Sequence, residues 1–484
     1  MYLGMSLGIL FVILVINTLL SSPKPLNTEK SRIANQRNLN EKLNKSALEH
    51  LAAAITYRVI GYDDANNDSI NHRALLQFHA WMKATYPLVA QQARWEVINQ
   101  HSLLITLKGK NQTPAAMFLG HLDVVPVPDS NQWKQAPFGG NIQKDTLYGR
   151  GSLDDKNVVI ALLEAAEHTL SMGMSFNRTL IFAFGHDEET GGINGAAAIA
   201  KHLLQQKIPI SFIADEGFGV MNGIVPGLKN PCAIIGLSEK GSLSVKLSVK
   251  QVGGHSAWPS PENATSILTK GLGKLELFQF PSQLKNPIRG LFSEAAPYMT
   301  FGYRLLFSNL WITAPLVKSV LEQGEKTAAT IRTTHVTTIL RAGTKENVVP
   351  PQAEAIVNLR LFPGDTISGV LAQIKHVLND PRIGIEIYLN AKEASPISPS
   401  NGDGYDQIKA AVHAQFPETV VVPGLVITGT DCKNYTAITQ RMYRFVPFEF
   451  NSTNLSGIHG INEFITRRQF NQAVIFYVDL FQRL

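Results

Sequence analysis

Cysteine is nearly missing from this 484-residue chain: Cys232 and Cys432 stand about two hundred positions apart, in neither a Cys-x-x-Cys nor a framework pattern. That excludes a closed thiolate zinc site and a disulfide-stapled fold, and it leaves the redox compartment undecided. Charge is sparse too, with 17% of residues charged. The net +6 is spread without a Lys/Arg block or arginine–aromatic interleaving, so no nucleic-acid partner is expected. No Lys or Arg precedes the apolar stretch Leu3 to Leu20 and no Ala-x-Ala follows it, which argues against a cleaved signal peptide.

That stretch is the longest apolar run. As a helix, its eighteen residues reach about 27 Å at ~1.5 Å per residue, close to the hydrocarbon thickness of a bilayer. The expectation is an uncleaved membrane anchor with the catalytic domain on the extracytoplasmic side; the alternative is a buried core helix. The bases Lys24, Lys30, Arg32 and Arg37, which all follow the stretch, pull the other way under the positive-inside rule. From Lys30 to Lys45 the chain is polar, a linker or an exposed helix, and from Ala47 to Arg58 it has helical apolar spacing through Leu48, Leu51 and Ile55.

The length predicts two domains, since one core stops growing well below this size. Leu103 to Leu107, Ala115 to Leu119, Thr179 to Phe184 and Ile210 to Ala214 read as strands, and Val158 to Leu170 as a helix among them. The alternation predicts an α/β fold with a largely parallel sheet. In such sheets sites lie beyond the carboxyl ends of the strands, and His121, Glu189 and Asp215 each follow a strand by a few residues.

With Asp154 and His459, these make five imidazole and carboxylate groups beside glycine-punctuated turns. Such donors suit zinc held open for chemistry, and five of them, one bridging, suit a pair of ions. In Gly120-His121-Leu122-Asp123, a carboxylate two residues on can reach the second ring nitrogen of His121 and fix its tautomer. Taken alone, a satisfied His at a strand end is the commoner meaning of His-x-Asp. The turn Tyr148 to Lys156 sets Asp154 and Asp155 just before a helix; one of them can serve as its N-cap, leaving Asp154 for the bridge. Three acids in a row, Asp187, Glu188 and Glu189, repel one another unless cations sit nearby. Glu189 then binds metal while Glu188 serves as general base.

In this order the chain resembles the di-zinc carboxypeptidase and aminoacylase family, from about Leu48 onward. The likeness rests on Gly-His-Leu-Asp-Val-Val-Pro at 120–126, Trp133 with Pro137-Phe138-Gly139, Gly-Arg-Gly-Ser-Leu-Asp-Asp-Lys at 149–156, Asp-Glu-Glu-Thr-Gly-Gly at 187–192 and Gly-Gly-His-Ser-Ala-Trp-Pro at 253–259. Lys156-Asn157 and His459-Gly460-Ile461-Asn462-Glu463 are most similar to the branch of carboxypeptidase S and the N-fatty-acyl-amino-acid synthase/hydrolases.

The resemblance implies a zinc-exopeptidase-like catalytic domain with an inserted α+β lid. The expected division is anchor 1–22, linker 23–46, catalytic domain 47–237 and 362–484, and lid 238–361. It implies two Zn²⁺, with Co²⁺ or Mn²⁺ as substitutes. Asp154 would bridge them, His121 and Asp215 would complete one shell, and Glu189 and His459 the other. Asp123 would orient His121, Glu188 would carry the proton, and the Asp154–Asp155 peptide would be cis. In the lid, His255 would stabilise the oxyanion, Arg360 would clamp a free carboxylate and Asn347 would assist. The lid could also mediate a homodimer, with His255 acting in its own subunit or the other.

Two segments depart from the pattern. Lys433 and Asn434 replace the residues usual after Gly429-Thr430-Asp431, and the lid segment Leu277 to Leu321 is long and apolar. Packing inside the lid is the leading account of that segment; an acyl-chain channel or membrane-facing patch is the other. The expected activity is hydrolysis of the amide bond beside a C-terminal amino acid with a free carboxylate, in a peptide or an N-acyl amino acid. A catalytically silent binding module would have lost Glu188 or a ligand, and all are present.

Overall fold

Short uncharged runs rich in β-branched and aromatic residues build the centre of the molecule. Ala115–His121, Leu180–Gly185 and Val420–Val426 are buried along their whole length, as befits strands covered on both faces. The computed structural model describes residues 2–23, 25–26, 30–33, 36–61, 68–128, 130–389 and 391–484, without the side chains at 2–4, 7, 37–38, 45 and 68–70. Eight strands form the main sheet in the order Arg94–Ile98, Ser102–Leu107, Leu180–Gly185, Ala115–His121, Ile210–Met221, Met442–Phe450, Cys232–Glu239, Val420–Val426. The middle pairings are parallel and one edge is antiparallel.

Alternation along the strands divides the core. Ala116, Phe118, Phe182 and Phe184 face one layer with the helices Lys156–Ser171 and Arg467–Arg483. Met117, Leu119, Ile181 and Ala183 face the other, against the helix Ala196–Gln206. The α/β architecture expected from the sequence is therefore present.

A second sheet, in the order Thr334–Ala342, Gln352–Leu361, Gly241–Lys250, Gly384–Ile387, is antiparallel and has its own core with the helices Ala264–Leu277 and Ile367–Leu378. Its limits correct the expected 238–361. The helix Ile367–Leu378 and the strand Gly384–Ile387 lie beyond 361 yet belong to this sheet, because a strand is placed by its partners and not by its position in the chain. Conversely, the helices Ile288–Ala295, Phe301–Ser308 and Leu310–Glu322 lie inside those limits but bury Ala295, Phe307, Leu310 and Val317 in the main core.

The expected linker 23–46 is also corrected. Gln36–Ile55 is one helix, and Leu39 and Leu43 are buried in the main core with Leu48 and Leu51. Lys24 of the topology expectation lies outside the described residues. The expected anchor forms the helix Tyr2–Leu20, but among the described residues no helix is long and apolar enough to cross a membrane.

Candidate metal centre

The strand Ala115–His121 ends on His121, which is buried, and its ring is fixed from both sides. Nδ1 lies 2.9 Å from the Asp123 carbonyl oxygen and 3.4 Å from Asp123 Oδ1, while Nε2 lies 3.0 Å from Asp154 Oδ1 and 3.7 Å from Glu216 Oε1. The second oxygen of Asp154, Oδ2, is 3.1 Å from His459 Nε2, which also lies 3.4 Å from Glu189 Oε2. Two three-residue groups result, each compact enough to hold an ion: His121, Asp154 and Glu216, and Asp154, Glu189 and His459. Asp154 belongs to both, one oxygen to each.

Asp215 stands apart from these groups. Its Oδ2 accepts from the Cys432 amide at 2.9 Å and its Oδ1 from the Glu216 amide at 2.9 Å. The strand runs on through Met221 instead of stopping at Ala214, and neighbours on a strand point to opposite faces. Glu216 therefore turns toward His121, and Asp215 ties down the loop beginning at Thr430. This replaces the expected Asp215 with Glu216 in the cluster.

Backbone hydrogen bonds set the loops. Asp123 accepts from the amides of Glu188 at 3.2 Å and Glu189 at 3.1 Å, so one carboxylate steadies both His121 and the acidic turn. Glu463 takes three amides of the Asp154 turn, those of Gly151 (3.1 Å), Leu153 (2.6 Å) and Asp154 (3.3 Å). Its other oxygen meets Arg150 at 2.7 Å, and Arg150 also donates to the Gly460 carbonyl at 2.9 Å. The His459 loop is thereby fastened to the Asp154 turn. The 154–155 peptide bond is cis. Asp155 occupies the N-cap of Lys156–Ser171 without capping it; its Oδ2 accepts instead from the His121 amide at 3.3 Å.

Glu188 is half-buried beside this cluster. Burial raises its pKa to about 7; His121 and Lys433 oppose that rise, and Glu189 and Asp123 add to it. Lys433 Nζ lies 3.7 Å from Glu188 Oε1, so the residue that departs from the family pattern sits against the expected general base. Gly192, with φ +70°, lies against the Asp431 carboxylate, where a β-carbon has no room.

The three residues expected to act from the lid are not brought into the cluster. His255 is exposed, its ring stacked on Trp258 at 4.7 Å and its Nδ1 accepting from the Ala257 amide at 3.0 Å. Asn347 is exposed and uses its carbonyl to accept from the Ser256 amide at 3.2 Å. Arg360 is half-buried in the smaller sheet, paired through its backbone with Thr334 and Ser242.

The donor set fits a pair of cations. It is all imidazole and carboxylate, and Glu189 Oε1 is a buried oxygen with no hydrogen-bond partner among the described residues, a group that a cation would satisfy. A doubly covered α/β sheet with acids and imidazoles clustered beyond its strand ends defines the class, a metal-dependent hydrolase. The sequence profile of peptidase family M20/M25/M40 matches residues 117–483, and the chain belongs to that family.

Among its relatives is a Dictyostelium discoideum protein described as "Probable carboxypeptidase S-like 2", 37% identical over 89% of this chain and 84% of its own length. The Xenopus tropicalis N-fatty-acyl-amino acid synthase/hydrolase PM20D1 is 33% identical over 98% of this chain and 93% of its own. In fold, the chain is similar to a metallo-carboxypeptidase of this family from Sulfolobus solfataricus, with a TM-score of 0.66 at 20% identity, covering 91% of this chain and 100% of the other. Human carnosine dipeptidase 1 gives 0.66 at 15%, covering 93% and 98%.

Proposed function

We propose that this enzyme is a di-zinc metallocarboxypeptidase that cleaves the amide bond next to a C-terminal amino acid bearing a free carboxylate. The observation that carries the reading is the shared Asp154, one oxygen directed to each of two compact ligand groups, with the half-buried Glu188 alongside. His121, Asp154 and Glu216 would hold one ion, and Asp154, Glu189 and His459 the other. Zinc suits these donors, with cobalt or manganese as substitutes. When bound, the ions polarise the scissile carbonyl and acidify water.

The chain's own residues do the rest. Glu188 takes the proton of the attacking water at its carboxylate and passes it to the departing amine. Asp123 keeps His121 in one tautomer and holds the amides of Glu188 and Glu189, so that base and ligand move together. Lys433 steadies the Glu188 carboxylate.

His255 serves as an oxyanion donor, Arg360 takes the substrate carboxylate and Asn347 assists it. The exposure of His255 favours its delivery to a second protomer's cleft in a homodimer formed through the smaller domain. The N-terminal helix holds the enzyme at a membrane, with the catalytic domain extracytoplasmic.

A second reading, hydrolysis or synthesis of N-fatty-acyl amino acids, uses the same residues. It is favoured by the named activity of PM20D1 relatives that match nearly the whole chain. Incubating the full chain with Zn²⁺ and a panel of dipeptides and N-acyl amino acids separates the two. Release from dipeptides supports the first reading and release from long-acyl substrates alone the second. Chelator-insensitive release overturns both.

A further inference from the structure

The helix Leu310–Glu322 is apolar on two sides. Leu310 and Val317 enter the main core, while Trp311, Ile312, Leu316 and Val320, spaced to share one face, are 58, 37, 59 and 55% exposed. Only Lys318 and Glu322 are charged in its thirteen residues. A helix at a water-facing surface carries mostly polar residues on its outer side, whereas here four large apolar side chains outnumber the exposed Ser319 and Glu322. Phe301 and Tyr303 of the preceding helix are exposed as well.

The N-terminal helix docks where these two helices meet. Asn17 donates to Asn309 Oδ1 and to the Ser308 carbonyl, both at 2.9 Å, and Asn309 donates back to Thr18 Oγ1 at 3.1 Å. Asn309 and Thr18 are fully buried. Asn17, Thr18 and Asn309 satisfy one another across this helix–helix contact, and Ile9, Phe11, Val12, Ile13, Ile16 and Leu19 are left facing outward. Polar clasps inside and apolar side chains outside are how helices associate in lipid.

We infer that the N-terminal helix and the helices Phe301–Ser308 and Leu310–Glu322 form one continuous lipid-facing surface whose partner is a bilayer. The helix–helix clasp makes the surface continuous, so the enzyme body lies against the membrane instead of hanging from a tether. The inference rests on the membrane reading of the N-terminal helix and extends that contact to the enzyme body.

A bilayer fits better than a second copy of the chain. At ~100° per residue, the exposed side chains of the N-terminal helix cover more than half its circumference, whereas a protein partner covers one stripe. Trp311 and Tyr303 are side chains suited to the lipid–water boundary.

The test uses the full chain with Leu316→Cys, Ile13→Cys or Leu204→Cys, each labelled with a polarity-sensitive fluorophore; the two native cysteines are buried. Circular dichroism and thermal midpoints confirm that each variant is folded. The probes are vesicles of phosphatidylcholine and phosphatidylserine with plain or brominated acyl chains. Labels at 13 and 316 should shift to the blue and be quenched by bromine, while the label at 204 stays aqueous.

If the label at 13 responds and that at 316 does not, the continuous surface is overturned and only the tether survives. If neither responds, both readings fall. If the label at 316 is shielded without vesicles, in proportion to protein concentration, the face belongs to a second copy and the inference is wrong.

Discussion

Asp215 and Glu216 are chain neighbours on one strand, yet only Glu216 directs its carboxylate to His121, 3.7 Å away; Asp215 accepts the Cys432 amide on the opposite face. The proposed ligand sets make this division measurable. Glu216→Ala should lose one equivalent of cation per chain after dialysis, read by elemental analysis. Asp215→Asn should keep both and loosen the loop at 430–435. Loss of an ion in the Asp215 variant and not in the other reverses the assignment.

Glu188→Gln keeps the shape of the side chain and removes its basicity. Turnover should fall by about 10²- to 10⁴-fold, with both cations retained and the fold intact. A variant with near-normal kcat means that another group carries the proton.

The pH profile should report Glu188 through Lys433. Burial raises the Glu188 pKa to about 7 and Lys433 lowers it, and the base works only when ionised. Activity therefore falls as pH drops through the Glu188 pKa, which bound cations draw further down. Lys433→Met removes a positive charge 3.7 Å away and should move the acid limb of kcat/KM upward by about one unit. An unmoved limb dissociates it from Glu188.

Arg150 and Glu463 form a buried pair at 2.7 Å that fastens the His459 loop to the Asp154 turn. Arg150→Met strands the Glu463 carboxylate and should cost about 3–5 kcal/mol in urea unfolding. It should also weaken cation retention, because His459 loses its support. A stability change under about 1 kcal/mol means that the pair is not desolvated as its burial indicates.

Away from the site, His79 gives an acid-stability test. Burial lowers its pKa from 6.5 to about 4, outweighing a backbone hydrogen bond that raises it. Between those values the unfolded chain binds more protons than the folded one, so stability rises with pH across that window. It is complete above about 6.5 and erodes toward pH 4, by at most about 3 kcal/mol. His79→Leu should flatten that slope in urea midpoints taken at pH 7 and pH 5. An unchanged slope assigns it to other groups.

The parallel run of strands could be read from the sequence because strands buried on both faces leave uninterrupted apolar segments, as at Ala115–His121 and Leu180–Gly185. The grouping of His121, Asp154, Glu189 and His459 was foreseen through short spacings on glycine turns, where local geometry decides much. The choice between Asp215 and Glu216 was hidden: it is a parity that depends on the strand continuing past Ala214, and an Asp-Glu-Gly end looks like a stop. The role of Glu463 was missed even though its motif stood out, because its partners are backbone amides far away in the chain. The limits of the smaller domain failed for a similar reason, since Gly384–Ile387 is placed by its pairing with a strand more than a hundred residues earlier.

The clamp formed by Glu463 and His459 on the Asp154 turn also sets a timetable for biosynthesis. Domains fold as the ribosome releases them, and most of the main sheet can collapse before those two residues emerge. Until then Glu189 and the second oxygen of Asp154 lack the His459 imidazole, and only His121 stands against Asp154. A polypeptide that lacks these two residues also lacks the helix Arg467–Arg483, which follows them and completes the main core, so the ion site and the packing of the domain depend on one stretch of chain.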